Sequence, residues 1–346
     1  EAGRGGGGKG SLAVDGYMKK GNISIFVPHI GCPQKCSFCN QNTITGVQEA
    51  PSPEDVRAAV ETALKKVDYE YEIAFFGGSF TAIDKEYMLS LLEAAKPYVL
   101  SGAVKGIRCS TRPDAVTDEV LSILKSYGVT AVELGAQSMD NGVLSANLRG
   151  HTAEDVVNAA SLIKNFKMEL GLQMMTGLYK SSDALDIYTA EQIIALQPDT
   201  VRIYPTVVLE HTYLAKLVKS GAFIPCSLEQ TVSLCAVLVS MFEEKNIKII
   251  RLGLHASPDI KKNMLGGGYH EALGEMVQSR IMLNRIFKYP AGEYTVYLNE
   301  KSVSKFKGNK KANIPALEKA GYNIKIVYDN SLSVNELRLK NGIKNT

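Results

Sequence analysis

The sequence predicts an α/β protein: a partial, six-stranded parallel β/α barrel followed by a small α+β C-terminal domain. Short, β-rich apolar runs alternate with amphipathic stretches, polar loops follow the ends of those runs, and the C-terminal residues become strongly basic. The alternation predicts parallel strands joined by right-handed helical crossovers. The six predicted strands are residues 22–27, 71–76, 106–110, 130–134, 170–175 and 200–205.

Helix-start signals mark the segments between these strands. Ser52 precedes Pro53 and two acidic residues, and Thr152 precedes a similar acidic turn, which is the pattern of an N-cap with a favourable first turn. The predicted helices are residues 52–67, 84–99, 117–128 and 152–166, followed by helices at 210–220 and 227–245 and a seventh strand at 247–252.

The chain divides into four predicted regions. The first is glycine-rich and precedes Met18, so we expect a disordered leader or an expression remnant. The second is the barrel with its trailing helices, the third a linker with a connecting helix at 270–287, and the fourth the basic C-terminal domain. The glycines at 266–268 predict a flexible joint in the linker. The four regions are residues 1–17, 18–255, 256–292 and 293–346.

The composition is that of an ordinary globular protein, with 45% hydrophobic and 22% charged residues among 346. No apolar run approaches the roughly 20 residues that span a bilayer, and no secretory signal is present, so we expect a cytoplasmic protein without a membrane span. Six cysteines in a chain of this kind argue against a disulfide framework. Cys109, Cys226 and Cys235 are scattered and are expected to be small buried side chains.

Charge is distributed unevenly along the chain. Residues 285–346 hold 12 Lys and Arg against 5 Asp and Glu, a net charge of +7, whereas the whole chain carries +3 and residues 1–284 therefore −4. A basic appendage on a mildly acidic body is the electrostatic pattern expected of a polyanion-binding module. A lysine-coated solubilising surface has the same composition.

Three cysteines, Cys32, Cys36 and Cys39, lie in one short loop after the first strand with the spacing C-x3-C-x2-C. Zinc sites usually take four ligands in two pairs; no second pair follows, and His29 would have to be the fourth ligand. Three thiolates on a cluster of four irons leave one iron with an open coordination position, which is what a catalytic metal site needs. The spacing therefore favours an iron–sulfur site over a zinc site or incidental cysteines.

The triplet, with Phe38 before its last cysteine, resembles the signature of the radical S-adenosylmethionine (SAM) superfamily. The resemblance implies a partial barrel of the radical SAM type, a [4Fe–4S] cluster held by the three cysteines, and SAM chelated at the open iron. It also implies reductive cleavage of SAM to a 5′-deoxyadenosyl radical, with the electron supplied by a donor such as flavodoxin or ferredoxin.

The loop after the second strand carries Gly77, Gly78 and Ser79, where the lack of side chains on the glycines admits a close ligand. It resembles the superfamily motif that holds the amino group of SAM. The Gly-Gly, glutamine and arginine positions are shared with oxygen-independent coproporphyrinogen oxidase. Over roughly residues 22–220 the chain resembles the radical domain of the Elongator catalytic subunit, most clearly at residues 110–114, 132–152, 174–178 and 202–208.

Carried over position by position, the resemblance implies further contacts with SAM. Arg149 would pair with the carboxylate of SAM, and Gln137 and Gln173 would bond its ribose or amino groups. Ser110 completes the set, although relatives often have Glu there, and Gln173 stands where the porphyrinogen enzyme has an acid. Tyr204 is expected to pack in the core or to touch substrate. No catalytic acid or second nucleophile is identifiable.

The C-terminal residues do not resemble the acetyltransferase half of the Elongator subunit, since no acetyl-coenzyme A loop follows residue 250. They predict strand, helix, basic turn, helix and strand, which resembles a KH module that clamps nucleic acid on a GxxG loop. A lysine replaces the second glycine of that loop. The predicted RNA contacts are Lys305, Lys307, Gly308, Lys310 and Lys311.

Three functions are consistent with these patterns. The first is a radical SAM enzyme that modifies RNA, a tRNA or a ribosomal RNA, with a base flipped into the barrel mouth. The second is a radical SAM enzyme that acts on a small molecule or tetrapyrrole, with the C-terminal domain closing the barrel. The third is a cluster-containing sensor or RNA-binding scaffold without turnover.

Overall fold

Strands and helices alternate along most of the chain. The computed structural model describes residues 19–28, 36–40, 49–66, 69–255 and 258–342, without the side chains of Lys19 and Lys310. The predicted leader lies outside these residues. The strands are β1 (Lys19–Val27), β2 (Tyr69–Gly77), β3 (Ile107–Thr111), β4 (Val129–Gln137), β5 (Glu169–Thr176), β6 (Thr200–Pro205), β7 (Val207–Leu209), β8 (Lys248–Leu252), β9 (Met264–Gly267), β10 (Glu293–Leu298), β11 (Asn323–Tyr328) and β12 (Leu337–Asn341).

Helices connect these strands, and several begin at the capping residues that the sequence predicts. Ser52 and Thr152 both form capping boxes, each with an aspartate three residues on. The helices are α1 (Pro53–Leu64), α2 (Lys85–Leu100), α3 (Asp118–Ser126), α4 (Asn141–Ala146), α5 (Ala153–Asn165), α6 (Asp183–Ala195), α7 (Tyr213–Lys219), α8 (Leu228–Glu244), α9 (Pro258–Asn263), α10 (Leu273–Phe287), α11 (Val303–Lys307) and α12 (Asn313–Lys319). None of the described helices is both long and apolar enough to cross a lipid bilayer.

Seven parallel strands form the main sheet, in the order β1-β2-β3-β4-β5-β6-β8. The predicted partial β/α barrel is therefore confirmed, with seven strands in place of six. The seventh, β8, follows the long helix α8, which supplies the crossover that a further parallel strand needs. The sequence predicted this strand but did not place it in the sheet.

The main hydrophobic core lies between this sheet and its helices. Alternate strand residues such as Ile73, Leu134 and Leu172 are fully buried there. The other face of the sheet is polar: Glu133 of β4, between two residues of that core, is bonded to arginines of β3 and β6. One face of the sheet therefore provides stability, and the other lines a polar interior.

The C-terminal residues form a second, smaller sheet in the order β11-β10-β12, in which β10 is parallel to β11 and antiparallel to β12. The predicted sequence of strand, two helices and strand is present, and β12 is an addition. Helix α10 joins the two cores, because Val277 packs into the main core whereas Met282 and Ile286 pack into the smaller one.

The predicted flexible joint at residues 266–268 is wrong. Gly266 and Gly267 belong to β9, which pairs with β7. A Cβ atom on Gly267 would lie 2.3 Å from the carbonyl oxygen of Thr206, and one on Gly268 would lie 2.0 Å from Oγ1 of Thr231. These glycines are required by close packing, not by flexibility.

Gly308 is also fixed by packing. Its φ is +76°, and a Cβ atom there would lie 2.9 Å from both Oδ1 of Asn313 and Oγ of Ser279. Asn313 is buried and donates to the carbonyl oxygen of Phe306 and to Ser279. The glycine therefore allows the turn between α11 and α12 to sit against α10.

The substitution Gly308→Ala should destabilise the C-terminal domain by about 2–3 kcal/mol, because it combines a left-handed backbone with a steric overlap. The local free energy of opening, measured by hydrogen exchange with mass spectrometry, reports this change. Gly221→Ala is the matched control, since Gly221 has a φ of +75° but no neighbouring atom within 4 Å of the added methyl group. Equal losses at the two positions would show that packing against α10 does not constrain Gly308.

Candidate active site

Parallel strands place their carboxyl ends at one edge of the sheet, and several of the predicted cluster and SAM residues lie at or beyond that edge. Cys36, Phe38 and Cys39 follow β1, Gly77 ends β2, and Gln137 ends β4. Cys32 lies outside the described residues. The structure therefore describes two of the three predicted thiols, and the described residues contain no group of three possible metal ligands.

Asn147 holds the cysteine loop in place. Its carbonyl oxygen accepts from the backbone N–H of Ser37 at 3.0 Å, and its side-chain Oδ1 accepts from the Ser37 hydroxyl at 2.7 Å. Its amide nitrogen donates to the carbonyl oxygens of Val143 and Tyr179, both at 2.8 Å. Because Asn147 is fully buried, water cannot reach its polar atoms, and these hydrogen bonds satisfy them instead.

Arg149 lies against the cysteine loop. Its Nη1 donates to Sγ of Cys36 at 3.1 Å, and its Nη2 donates to the carbonyl oxygen of Gly135 at 2.6 Å. The guanidinium also lies 6.0 Å from the centre of the Phe38 ring, which packs among apolar side chains. A fixed positive charge therefore stands beside a cysteine sulfur, where it can pair with an anionic ligand.

Two buried polar atoms next to this contact have no hydrogen-bond partner among the described residues: Nε of Arg149 and Oε1 of Gln137. Gln137 has a left-handed backbone, with φ of +66°, which is a strained conformation for a residue with a side chain. Unsatisfied buried groups and backbone strain are typical of ligand sites. The pair fits a small polar molecule such as SAM.

His151 lies beside the same group and is neutral at pH 7. Burial lowers the pKa of His151 to about 4, and the nearby positive charge of Arg149 adds to this. Its Nε2 is 3.3 Å from the carbonyl oxygen of Ala136, and its Nδ1 has no partner among the described residues. Arg149, and not His151, thus supplies the positive charge beside Cys36.

The loop after β2 folds back onto the end of β1. Gly77 has φ of +112°, and a Cβ atom there would lie 2.7 Å from the carbonyl oxygen of Val27. The N–H of Gly78 donates to that same oxygen at 2.8 Å. Ser79 is buried and its hydroxyl accepts from the backbone N–H of Arg112 at 3.1 Å. Arg112 in turn donates to the carbonyl oxygen of Arg149 at 3.2 Å, so it links this loop to the cysteine region.

Ser110 and Gln173 are brought together deeper in the half-barrel. Nε2 of Gln173 is 3.3 Å from the Ser110 hydroxyl and 3.0 Å from a carboxylate oxygen of Glu133. Glu133 also accepts from Nε and Nη2 of Arg202 at 2.5 and 2.9 Å. Both predicted SAM contacts therefore belong to a polar network that is centred on a buried carboxylate.

Tyr204 is half-buried between Arg202 and an apolar cluster that contains Met175 and Leu178. Burial raises its pKa, and the charge of Arg202 opposes that rise. The side chain thus contributes to packing and borders the polar interior at the same time.

The predicted RNA contacts lie on the C-terminal domain, around the turn between α11 and α12. Lys305 is half-buried and its Nζ donates to Oδ1 of Asn335 at 3.0 Å, so its charge is partly engaged. Lys311 is exposed and Lys307 is half-buried. The Cα atom of Gly308 packs against α10, on the side where another residue would carry its Cβ atom. The side chain of Lys310 lies outside the described residues.

Three residues of this region were missed by the sequence analysis: Asn147, Arg112 and Glu133. All three lie inside stretches that the resemblance had marked, but the roles of Asn147 and Arg112 depend on which backbone groups the fold brings near them. Glu133 occupies an apolar strand pattern, and a lone acid in a buried strand was the available signal.

Comparison with known proteins identifies two family regions. Residues 26–188 match the Radical SAM superfamily, and residues 198–282 match the Radical_SAM C-terminal domain. The tRNA uridine(34) acetyltransferase of Methanocaldococcus infernus is 29% identical over 245 residues, which is 64% of this chain and 45% of that protein. Elongator complex protein 3 of Homo sapiens is 28% identical over 254 residues, 64% of this chain and 46% of that protein.

The chain thus spans less than half the length of these two curated relatives. Among solved structures, the archaeal Methanocaldococcus infernus Elp3 with an N-terminal deletion superposes with a TM-score of 0.60. The match has 23% sequence identity and covers 79% of this chain and 66% of that chain. At this identity the superposition establishes the shared fold.

The substitution Asn147→Ala should reduce the iron retained after anaerobic reconstitution to less than half, because the cysteine loop loses its side-chain anchor. Removing buried hydrogen-bond partners should also lower the free energy of unfolding by about 2–4 kcal/mol. Iron and sulfide analysis with thermal unfolding measures both quantities. Asn263→Ala is the control, since it removes an exposed bond from the same kind of side chain to a backbone carbonyl. Unchanged iron content in Asn147→Ala would contradict the anchoring role.

Proposed function

Since the chain belongs to the radical SAM superfamily and is homologous to the radical SAM domain of Elp3 and the tRNA uridine(34) acetyltransferases, we propose that it is a radical SAM enzyme that modifies tRNA. The enzyme class rests on the family regions. The tRNA substrate is supported by the names of the relatives and by the basic C-terminal domain. The acetyl transfer in those names is not part of the proposal.

The observation that carries the proposal is the contact between Arg149 and Cys36 at 3.1 Å, next to two buried polar atoms without described partners. Cys36 and Cys39, with Cys32 from the same loop, would hold a [4Fe–4S] cluster. When bound, the cluster supplies one electron and an open iron for the reductive cleavage of SAM. A donor of the flavodoxin or ferredoxin class would supply the electron.

The residues around the cysteine loop would bind and orient SAM. Arg149 offers the positive charge that the carboxylate of SAM requires, and the Oε1 atom of Gln137 can accept from its amino group or ribose. The backbone at Gly77 and Gly78 would lie close to the methionyl part. Ser110 and Gln173 would contact the ligand from the interior of the half-barrel. Phe38 keeps the loop seated in apolar surroundings and limits access of water.

Docking of tRNA would use the basic C-terminal domain. Lys307 and Lys311 are the loop lysines with described side chains that no described partner engages, whereas Lys305 bonds Asn335. Phosphate contacts of this kind add affinity without sequence preference and weaken as salt rises. The domain would therefore hold the polyanion while the half-barrel receives a base.

The purified, reconstituted protein should convert SAM to 5′-deoxyadenosine under reducing conditions, and one nucleoside of added tRNA should change mass. Cys36→Ala should abolish both products, whereas Cys226→Ala, which removes a half-buried thiol outside the loop, should leave them unchanged. Chromatography with mass spectrometry of SAM products and digested tRNA measures the two outcomes. Absence of 5′-deoxyadenosine would overturn the proposed enzyme class. Formation of 5′-deoxyadenosine without any altered nucleoside would overturn the proposed tRNA substrate and favour a small-molecule substrate.

The double substitution Lys307→Ala/Lys311→Ala should weaken tRNA binding and lower the slope of log Kd against log salt by about 2, roughly 1 for each lost phosphate contact. Filter binding between low and moderate salt measures the slope. Lys65→Ala/Lys66→Ala removes the same charge from the exposed end of α1 and serves as the control. If both double variants change the slope equally, the C-terminal turn is not the docking surface.

A further inference from the structure

A large, charged cavity lies on the polar face of the half-barrel and is lined mainly by residues at the amino ends of its strands. Its volume is about 840 Å³, and its described lining includes seven Lys and Arg against four Asp and Glu. Side chains of β1 and β8, the two outer strands of the sheet, both reach it. A cavity of this size with an excess of positive charge is suited to an anionic molecule.

An irregularity in β8 places a second arginine beside Arg202. Val201 pairs with Ile249, but the next residue, Arg202, pairs with Arg251, so β8 contains one extra residue at Ile250. Both Ile250 and Arg251 consequently line the cavity. Such bulges commonly re-aim a side chain next to a functional site. Two like charges on adjacent positions of neighbouring strands are otherwise unfavourable.

The two arginines differ in their partners. Arg202 is neutralised by Glu133, which accepts two of its hydrogen bonds and is only 1% exposed. Arg251 bonds through Nε to the carbonyl oxygen of Gly253 at 2.8 Å and forms no ion pair with the carboxylates of the described residues. The two terminal nitrogens of Arg251 are therefore available as a fork of N–H donors.

The surroundings of Arg251 are electropositive. Burial lowers the pKa of Arg251, and the charge of Arg202 lowers it further while Tyr204 opposes this. Burial also lowers the pKa of His255, with contributions from Arg251 and then Arg202. His255 lines the same cavity, so it and the two arginines share one region. An anion bound there would relieve the repulsion between these groups.

We propose that Arg251, flanked by Arg202 and His255, binds an oxyanion of the molecule that occupies the half-barrel, a phosphate or a carboxylate. A free guanidinium fork holds either group through two parallel hydrogen bonds. The site is connected to the predicted SAM contacts, because Arg202 and Gln173 share the carboxylate of Glu133. The role as a substrate anchor rests on the proposed function, whereas oxyanion binding itself does not.

Calorimetric titration at low ionic strength with inorganic phosphate, uridine 5′-monophosphate, uridine and succinate tests the site without SAM or tRNA. The wild-type protein should bind an oxyanion, and Arg251→Gln should weaken that binding at least tenfold, with partial recovery in Arg251→Lys. Preference for uridine 5′-monophosphate over uridine assigns the oxyanion to a nucleotide, and preference for succinate assigns it to a small carboxylate. These results are independent of whether tRNA is the substrate.

Lys248→Gln is the matched control, because it removes one positive charge from the same strand and the same cavity. Arg251→Gln should also unfold at a temperature no lower than the wild type, since it removes an unpaired cation beside another cation. The proposal fails if no oxyanion binds the wild type, or if Lys248→Gln weakens binding as much as Arg251→Gln. It also fails if Arg251→Gln lowers the unfolding temperature substantially, because Arg251 would then be part of the internal framework.

Discussion

A buried carboxylate organises the interior of this half-barrel. Glu133, on the central strand β4, is bonded by Arg202 of β6, Gln173 of β5 and, at 3.5 Å, Arg108 of β3. Arg108 extends the network to Glu72 of β2 and Glu169 of β5. A charge so deeply buried is tolerable because these donors replace water, and removal of one partner of such a pair typically costs about 3–5 kcal/mol. Five adjacent strands are thus joined by side chains as well as by their backbones.

The Glu133 network requires space for its side chains on the polar face of the sheet and tight packing on the opposite, apolar face. Gly171 provides the room, because a Cβ atom there would lie 2.7 Å from Cγ of Glu133. The apolar residues that alternate with the network pack against the helices and fix the strands. Gln173 and Ser110 therefore reach the interior from a rigid support, as precise ligand contacts need. The cysteine loop has a separate support, in which Asn147 and Arg149 hold it from the chain that follows β4.

The strands and their capped helices were predictable because apolar periodicity and N-caps are local signals. Helix α6 was missed because Asp186 and Thr189 occupy its buried face and interrupt that pattern. Strand β12 was missed because its apolar and basic residues alternate over only a short run. Strand β9 was missed because its glycines have the composition of a flexible linker. In the site, spacing identified the cysteines and the resemblance marked Arg149, but neither indicated that Arg149 bonds Cys36 or that Asn147 anchors the loop. Those contacts join residues more than 100 positions apart and depend on the fold.

The open form of the sheet explains where an anionic group can be received. In the described sheet β1 and β8 each have one neighbour, so the barrel is incomplete between them. Side chains from both strands nevertheless line one cavity, which means that the sheet curves enough to bring its two edges to the same space. Within the sheet each arginine of the network meets a carboxylate from another strand: Arg202 meets Glu133, and Arg108 meets Glu72 and Glu169. Arg251 stands on the outer strand β8. No further strand beyond β8 in the described sheet supplies a carboxylate to Arg251, and its side chain lines the cavity instead. The unmatched cation therefore accompanies the open edge of the barrel, and Arg251 offers its charge to the cavity that it lines.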